Sequence, residues 1–83
     1  MHVLCLGGAG KICREAILDL VAFSDFERIT IGDINSTAGE VLAASTGDER
    51  VDFRFVDVRQ KKAAVSVMQE YDIVMDGTTI HLN

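Results

Sequence analysis

The chain contains no proline, only two cysteines, and no hydrophobic run of the roughly 20 residues that a membrane-spanning helix needs. Without proline or a linker-like stretch, no internal boundary is indicated, so the 83 residues are predicted to form one domain. Two cysteines are too few for a disulfide scaffold. We therefore expect a reduced, cytoplasmic protein without a membrane segment. We expect no metal site either, because His2 and His81 have no partners at metal-ligand spacing.

Basic residues are also scarce, since 8 lysines and arginines stand against 13 aspartates and glutamates, for a formal net charge of −5. This balance argues against a nucleic-acid partner, because neutralising phosphates requires a basic face. An anionic ligand must then be held by local backbone donors. What is present is typical of a folded protein: 48% hydrophobic and 25% charged residues, with no repeat or low-complexity tract.

Short apolar runs alternate with helical stripes along the chain. The patterns predict strands at 2–6, 28–32, 51–56 and 72–76, separated by helices at 12–21, 37–45 and 58–70. Thr37 and Glu40 have the spacing of a capping box for the second helix, and Asp57 is predicted to cap the third. The order β-α-β-α-β-α-β implies right-handed crossovers. We therefore predict an α/β fold, a partial Rossmann (doubly wound) parallel sheet of four strands in the order 3-2-1-4.

A glycine-rich turn, Gly7-Gly8-Ala9-Gly10, joins the first predicted strand to the first helix, the context in which such a turn holds a dinucleotide pyrophosphate. Gly8 permits a tight turn. Gly10 lets the backbone approach the pyrophosphate, toward which the free amides of the helix point. Cys13 replaces the third glycine of the pattern, where alanine also occurs, and is expected to serve packing and not redox chemistry. The alternative is a glycine turn that binds nothing.

An acidic residue ends the second predicted strand, as a dinucleotide site requires. Asp33 follows Gly8 by about 25 residues, close to the usual separation of about 20. Its carboxylate can accept both ribose hydroxyls of the adenosine and would repel a 2′-phosphate. Ile34-Asn35 offers no arginine to pair with that phosphate, so NAD is predicted to be favoured, with NADP use still possible. The alternative for Asp33 is a solvated turn acid.

Two further loops reach the same edge of the predicted sheet, where open α/β sheets bind ligands. Asp57 and Val58 follow the third strand, so Asp57 can accept a hydrogen bond from the adenine amine while Val58 packs on the ring. The helix-cap role explains Asp57 equally well. Thr78, after the fourth strand, is a candidate contact for the pyrophosphate or the nicotinamide ribose. A solvent-exposed turn is the alternative for Thr78.

The chain ends soon after the fourth predicted strand, whereas a doubly wound dinucleotide domain normally continues with further strands. We therefore expect residues 1–83 to be the N-terminal dinucleotide-binding domain of a longer enzyme. The apolar edge of the fourth strand would be unpaired, which favours association between chains. We also expect the protein to be a homo-oligomer.

Four segments carry a family resemblance: VLCLGGAGKICREA, ITIGDIN, FVDVR and YDIVMDGTTIHLN. With them the chain resembles the N-terminal cofactor domain of the saccharopine dehydrogenase-like reductases, which include lysine 6-dehydrogenase and carboxynorspermidine-type enzymes. The resemblance implies oxidoreductase chemistry at a C–N bond of an amino acid or related amine. It implies that a later domain binds the small-molecule substrate and supplies the catalytic groups, so no catalytic residue is named here. The implied cofactor contacts are Gly8, Gly10, Lys11, Ile12, Asp33, Asp57, Val58 and Thr78.

Two other classes of function would use the same binding edge. One is a non-catalytic dinucleotide-sensing module, and the other is a short-chain epimerase or reductase. The residues that follow Asn83 would separate them. A second α/β domain favours the enzyme, a DNA-binding or membrane segment favours the sensor, and a Tyr-x-x-x-Lys pair favours the epimerase or reductase.

Overall fold

The structure, a computed structural model of the chain, describes residues 1–7, 11–76 and 79–82, and it describes side chains over 1–7 and 14–76. Strands and helices alternate as the sequence predicts as far as the fourth strand. In order they are β1 (His2–Leu6), α1 (Lys11–Phe23), β2 (Arg28–Asp33), α2 (Ser36–Thr46), β3 (Val51–Phe55), α3 (Lys61–Met68), β4 (Ile73–Asp76) and β5 (Thr79–Leu82). Among the residues described, no helix combines the length and apolar character needed to cross a membrane.

The sheet has the strand order β3-β2-β1-β4-β5. β1 lies at its centre and pairs in parallel with β2 and β4, so that Val3 lies opposite both Ile29 and Ile73. β3 pairs in parallel with β2. The predicted four-stranded parallel arrangement 3-2-1-4 is thus confirmed.

β5 adds a strand that the sequence patterns did not predict. It pairs antiparallel with β4, with Ile73 opposite Leu82 and Asp76 opposite Thr79. The expectation of an unpaired β4 edge is therefore wrong. Only an antiparallel partner can follow β4 after so short a connection, since a parallel one needs a crossover of a dozen or more residues. The edge strand on this side of the sheet is β5.

Helices cover both faces of the parallel strands, and alternate residues of β1 enter opposite cores. One core lies under α1 and α2: Val3, Cys5, Ile17, Ile29, Ile31, Leu42 and Val51. The other lies under α3: Leu4, Leu6, Val56, Ala64, Tyr71 and Val74. Burying each large aliphatic side chain contributes about 1.5–3 kcal/mol, so both faces support the sheet. Cys5 belongs to the first core, where its side chain is fully buried.

The starts of two helices differ from the prediction. α2 is capped by Asn35, whose side-chain oxygen accepts a hydrogen bond from the Ala38 amide at 3.0 Å. The predicted capping box of Thr37 and Glu40 is therefore wrong, because asparagine is a strong cap residue and lies earlier in the chain. α3 begins at Lys61 and its N-cap residue makes no side-chain cap bond. The predicted cap at Asp57 is also wrong, because that carboxylate binds groups in its own loop.

Candidate nucleotide-binding site

A cleft of about 280 Å³ opens at the carboxyl ends of β1, β2 and β3. Its volume lies just below the range of about 300–1,000 Å³ typical of small-molecule sites, which suits one end of a dinucleotide. This is also the edge at which doubly wound sheets bind ligands. The lining residues are Leu6, Gly7, Gly32, Asp33, Ile34, Val56, Asp57, Val58 and Arg59.

Gly7 begins the glycine turn at the end of β1. Its φ is 69°, in the left-handed region that glycine adopts without strain. Its amide donates a 2.7 Å hydrogen bond to the Gly32 carbonyl oxygen, which joins the ends of β1 and β2. The predicted contacts Gly8 and Gly10 lie outside the described residues. α1 starts at Lys11, so the predicted strand and helix are present on either side of these glycines, although the side chains of Lys11 and Ile12 lie outside the described part.

Asp33 is the last residue of β2 and lines the cleft with a half-buried side chain. Its Oδ1 accepts a hydrogen bond from the Asn35 amide at 3.1 Å. This bond fixes the carboxylate against the turn that leads into α2. The structure therefore places the predicted ribose-binding carboxylate at the cleft, on a strand end and not on a freely moving loop.

Asp57 and Arg59 form a bidentate ion pair in the loop after β3. Nε of Arg59 donates to Oδ1 of Asp57 at 3.0 Å, Nη2 donates to Oδ2 at 2.9 Å, and the Arg59 amide also donates to Oδ1 at 3.0 Å. These bonds, the side-chain ones first, lower the pKa of Asp57 below its usual range, so the carboxylate stays ionised. The Asp57 side chain is 14% exposed and that of Arg59 is 79% exposed, so the carboxylate lies inside and the guanidinium outside.

Arg59 is the cleft residue that the sequence patterns missed. The sequence patterns place it inside the helix predicted at 58–70. In the structure α3 begins only at Lys61, so Arg59 lies in the loop before it. Its side chain is directed toward Asp57, which lines the same cleft. The available signal was the spacing of the two residues, since Asp commonly binds groups two residues further on.

Apolar side chains form the floor and rim of the cleft. Leu6 and Val56 are buried beneath it. Ile34 and Val58, on the loops after β2 and β3, are 55% and 57% exposed. Large exposed aliphatic side chains beside carboxylates offer contact to a flat, partly apolar ligand such as an adenine ring. The cleft therefore combines hydrogen-bond acceptors with apolar contact surface.

Sequence comparison decides the family. Residues 3–83 match the family described as the saccharopine dehydrogenase NADP binding domain. The chain belongs to this family. No curated protein sequence matches the chain. The predicted resemblance is thus confirmed over almost the whole length, and this saccharopine dehydrogenase-type domain is a dinucleotide-binding domain of an oxidoreductase family.

The family's description also bears on the cofactor. It supports a nicotinamide dinucleotide and favours NADP over NAD. This is the reverse of the preference predicted from Asp33. The remaining predicted contact, Thr78, lies outside the described residues, and so does the side chain of Cys13. Within the described residues, no group of three or more His, Cys, Asp or Glu side chains is placed to hold a metal ion.

Proposed function

We propose that this domain binds the adenosine end of a nicotinamide dinucleotide in the cleft beyond β1, β2 and β3. The observation that supports it is the convergence of Asp33 and Asp57 with two exposed aliphatic side chains on one cleft beside the glycine turn. Ribose hydroxyls and the adenine amine are donors, so they suit carboxylate acceptors. The residues present therefore fit this half of the cofactor.

Each candidate residue has a proposed part in this binding. Asp33 accepts the ribose hydroxyls, Asp57 accepts the adenine amine, and the adenine ring contacts Val58. The pyrophosphate is proposed to lie against the turn and the start of α1, where backbone amides supply the donors that an acidic protein cannot supply through its overall charge. That part of the site consists of Gly8, Gly10, Lys11 and Ile12. Thr78 is proposed to contact the pyrophosphate or the nicotinamide ribose.

We further propose that the domain serves an enzyme that acts on a C–N bond of an amino acid or related amine. The family supports this proposal through its description as a domain of saccharopine dehydrogenase. When bound, the nicotinamide exchanges a hydride with the carbon of that bond. A later domain of the same enzyme is proposed to bind the small-molecule substrate and to supply the catalytic groups. This is tested by following nicotinamide absorbance while amino acids and diamines are offered to the whole enzyme.

Replacing Asp33 by alanine is expected to weaken NAD binding by about 10–100-fold, because the ribose loses hydrogen bonds to a charged acceptor. Asp33→Asn keeps the size and loses the charge, so it should give a smaller loss. Titration calorimetry on the purified chain measures both affinities.

Asp25→Ala is the matched control for Asp33→Ala. Asp25 is an exposed acid in the loop between α1 and β2, at the opposite edge of the sheet. Its replacement should leave the NAD affinity unchanged. If Asp33→Ala binds NAD as tightly as the unmodified chain while keeping its melting temperature, the proposed ribose contact is wrong.

A further inference from the structure

The end of β2 provides no cation for a 2′-phosphate. Asp33 is followed by Ile34 and Asn35, and the carboxylate of Asp33 itself repels a phosphate. A domain of a family described as NADP-binding must then obtain its positive charge from another part of the fold. Among the described residues that line the cleft, the one cationic side chain is that of Arg59.

We propose that Arg59 is the specificity-determining residue that binds the 2′-phosphate of NADP from the β3 side of the cleft. The inference rests on the proposed function, since it assumes that the adenosine lies between the ends of β2 and β3. It assigns to Arg59 a contact that dinucleotide-binding folds usually take from the loop after the second strand.

The pairing of Arg59 leaves donors available for a phosphate. A guanidinium carries five N–H groups, and Asp57 receives one from Nε and one from Nη2. The two on Nη1 and the second on Nη2 make no bond within the part of the chain that the structure describes. Two neighbouring guanidinium N–H groups match two oxygens of a phosphate, a geometry that a lysine ammonium cannot reproduce.

Asp57 prepares Arg59 for this role. The carboxylate holds Nε and Nη2 in a fixed plane, so the long side chain loses less conformational freedom when a ligand binds. Because the Arg59 side chain is 79% exposed, its guanidinium keeps access to a ligand without breaking the ion pair. Its positive charge lies on the cleft that Asp33 also lines, and it opposes the repulsion between Asp33 and a 2′-phosphate.

The experiment compares NAD and NADP binding by titration calorimetry in the unmodified chain and in Arg59→Ala. The NADP dissociation constant is expected to rise by about 10–100-fold and the NAD constant to change by less than about threefold. Arg59→Lys should lose part of the NADP affinity, since it keeps the charge without the fork. Asp33→Asn should have the opposite effect on the ratio of the NADP to the NAD dissociation constant, with NADP bound more tightly.

Arg28→Ala is the matched control. Arg28 is also an exposed arginine paired with an aspartate, Asp52, at 3.3 Å, and it lies at the amino end of β2, away from the cleft. Its replacement should leave both affinities unchanged. In a nitrogen-15 spectrum, the Arg59 Nε–H signal should move with adenosine 2′,5′-bisphosphate and stay in place with adenosine 5′-monophosphate.

The outcomes separate the two proposals. If the unmodified chain binds neither dinucleotide, the proposed function and the role of Arg59 both fail. If it binds NAD but not NADP, only the role of Arg59 fails. That role also fails if Arg59→Ala weakens NAD and NADP equally, as stacking of the guanidinium on adenine would predict, or if it weakens neither.

Discussion

Replacing Gly39 by alanine is expected to destabilise the domain by about 1–3 kcal/mol, although the same change inside a helix normally stabilises by about 1 kcal/mol. Gly39 lies in α2 with its Cα buried against β3. A Cβ built there overlaps the Cδ1 and Cε1 atoms of the Phe53 ring. The overlap forces α2 away from the sheet or turns the ring out of the core, and either change outweighs the gain in helix propensity. Urea unfolding of the two proteins measures the difference.

A double-mutant cycle with Phe53→Leu identifies the cause. With the ring removed, Gly39→Ala should cost at least about 1 kcal/mol less than it does in the unmodified chain, because the two residues are in contact. Glu40→Ala, at the neighbouring exposed position of α2, should change stability by no more than about 0.5 kcal/mol. If Gly39→Ala proves stabilising, α2 does not pack on Phe53 as closely as the structure places it.

Arg50→Ala is expected to lower the melting temperature by roughly 10 °C. Each lost hydrogen bond costs about 1 kcal/mol, and in a domain of this size each kcal/mol of stability corresponds to several degrees of melting temperature. Nη1 of Arg50 donates to the carbonyl oxygens of Ser24 at 2.8 Å and Phe26 at 3.0 Å, and Nη2 donates to that of Val21 at 3.0 Å. Arg50 lies directly before β3, and its side chain thus holds the end of α1 and the following loop in place. Alanine leaves the three carbonyl groups without this donor. Thermal unfolding followed by circular dichroism measures the loss.

Two variants test whether the hydrogen bonds from the Arg50 guanidinium to the three carbonyl groups cause this loss of stability. Arg50→Lys should recover only part of the stability, because one ammonium cannot reach the carbonyl groups that the planar guanidinium bridges. Arg28→Ala removes an arginine whose side chain is 55% exposed and should lower the melting temperature by no more than about 2 °C. Equal losses for Arg50→Ala and Arg28→Ala would contradict the structural role of Arg50.

The pair formed by Asp48 and Arg50 is also expected to make stability depend on acid pH. Hydrogen bonds from the Arg50 side chain, and then from its amide, hold the pKa of Asp48 below its ordinary value of 3.8. A carboxyl group with a lowered pKa in the folded state stabilises that state above its ordinary pKa, and the contribution is lost as pH falls through the lowered value. Urea midpoints measured from pH 6 to pH 2 should therefore converge for the unmodified chain and Asp48→Asn. Midpoints that stay equally far apart at every pH would contradict the linkage.

The sequence by itself determined the frame of this domain. Hydrophobic periodicity is a local property, so the four parallel strands and three helices follow from the runs around β1 to β4 and the stripes between them. The order 3-2-1-4 followed from the dinucleotide-binding (Rossmann) pattern, which uses this arrangement of strands. Asp33, Asp57 and Val58 were placed on one edge for a simple reason: all three follow strands whose carboxyl ends meet there. Whether these residues bind the cofactor stays a prediction.

Only the tertiary structure decided which distant groups meet. Nothing local shows that Phe53 leaves no room for a side chain at Gly39, or that Arg50 reaches the end of α1. These contacts depend on the distances between packed elements, and residues far apart in the chain leave no periodic signal of their meeting. The pairing of β5 with β4 is hidden for a related reason. β4 is equally short but contains the continuous apolar run Ile73-Val74-Met75, whereas the four residues of β5 include only two apolar ones. The segment becomes a strand by pairing with β4.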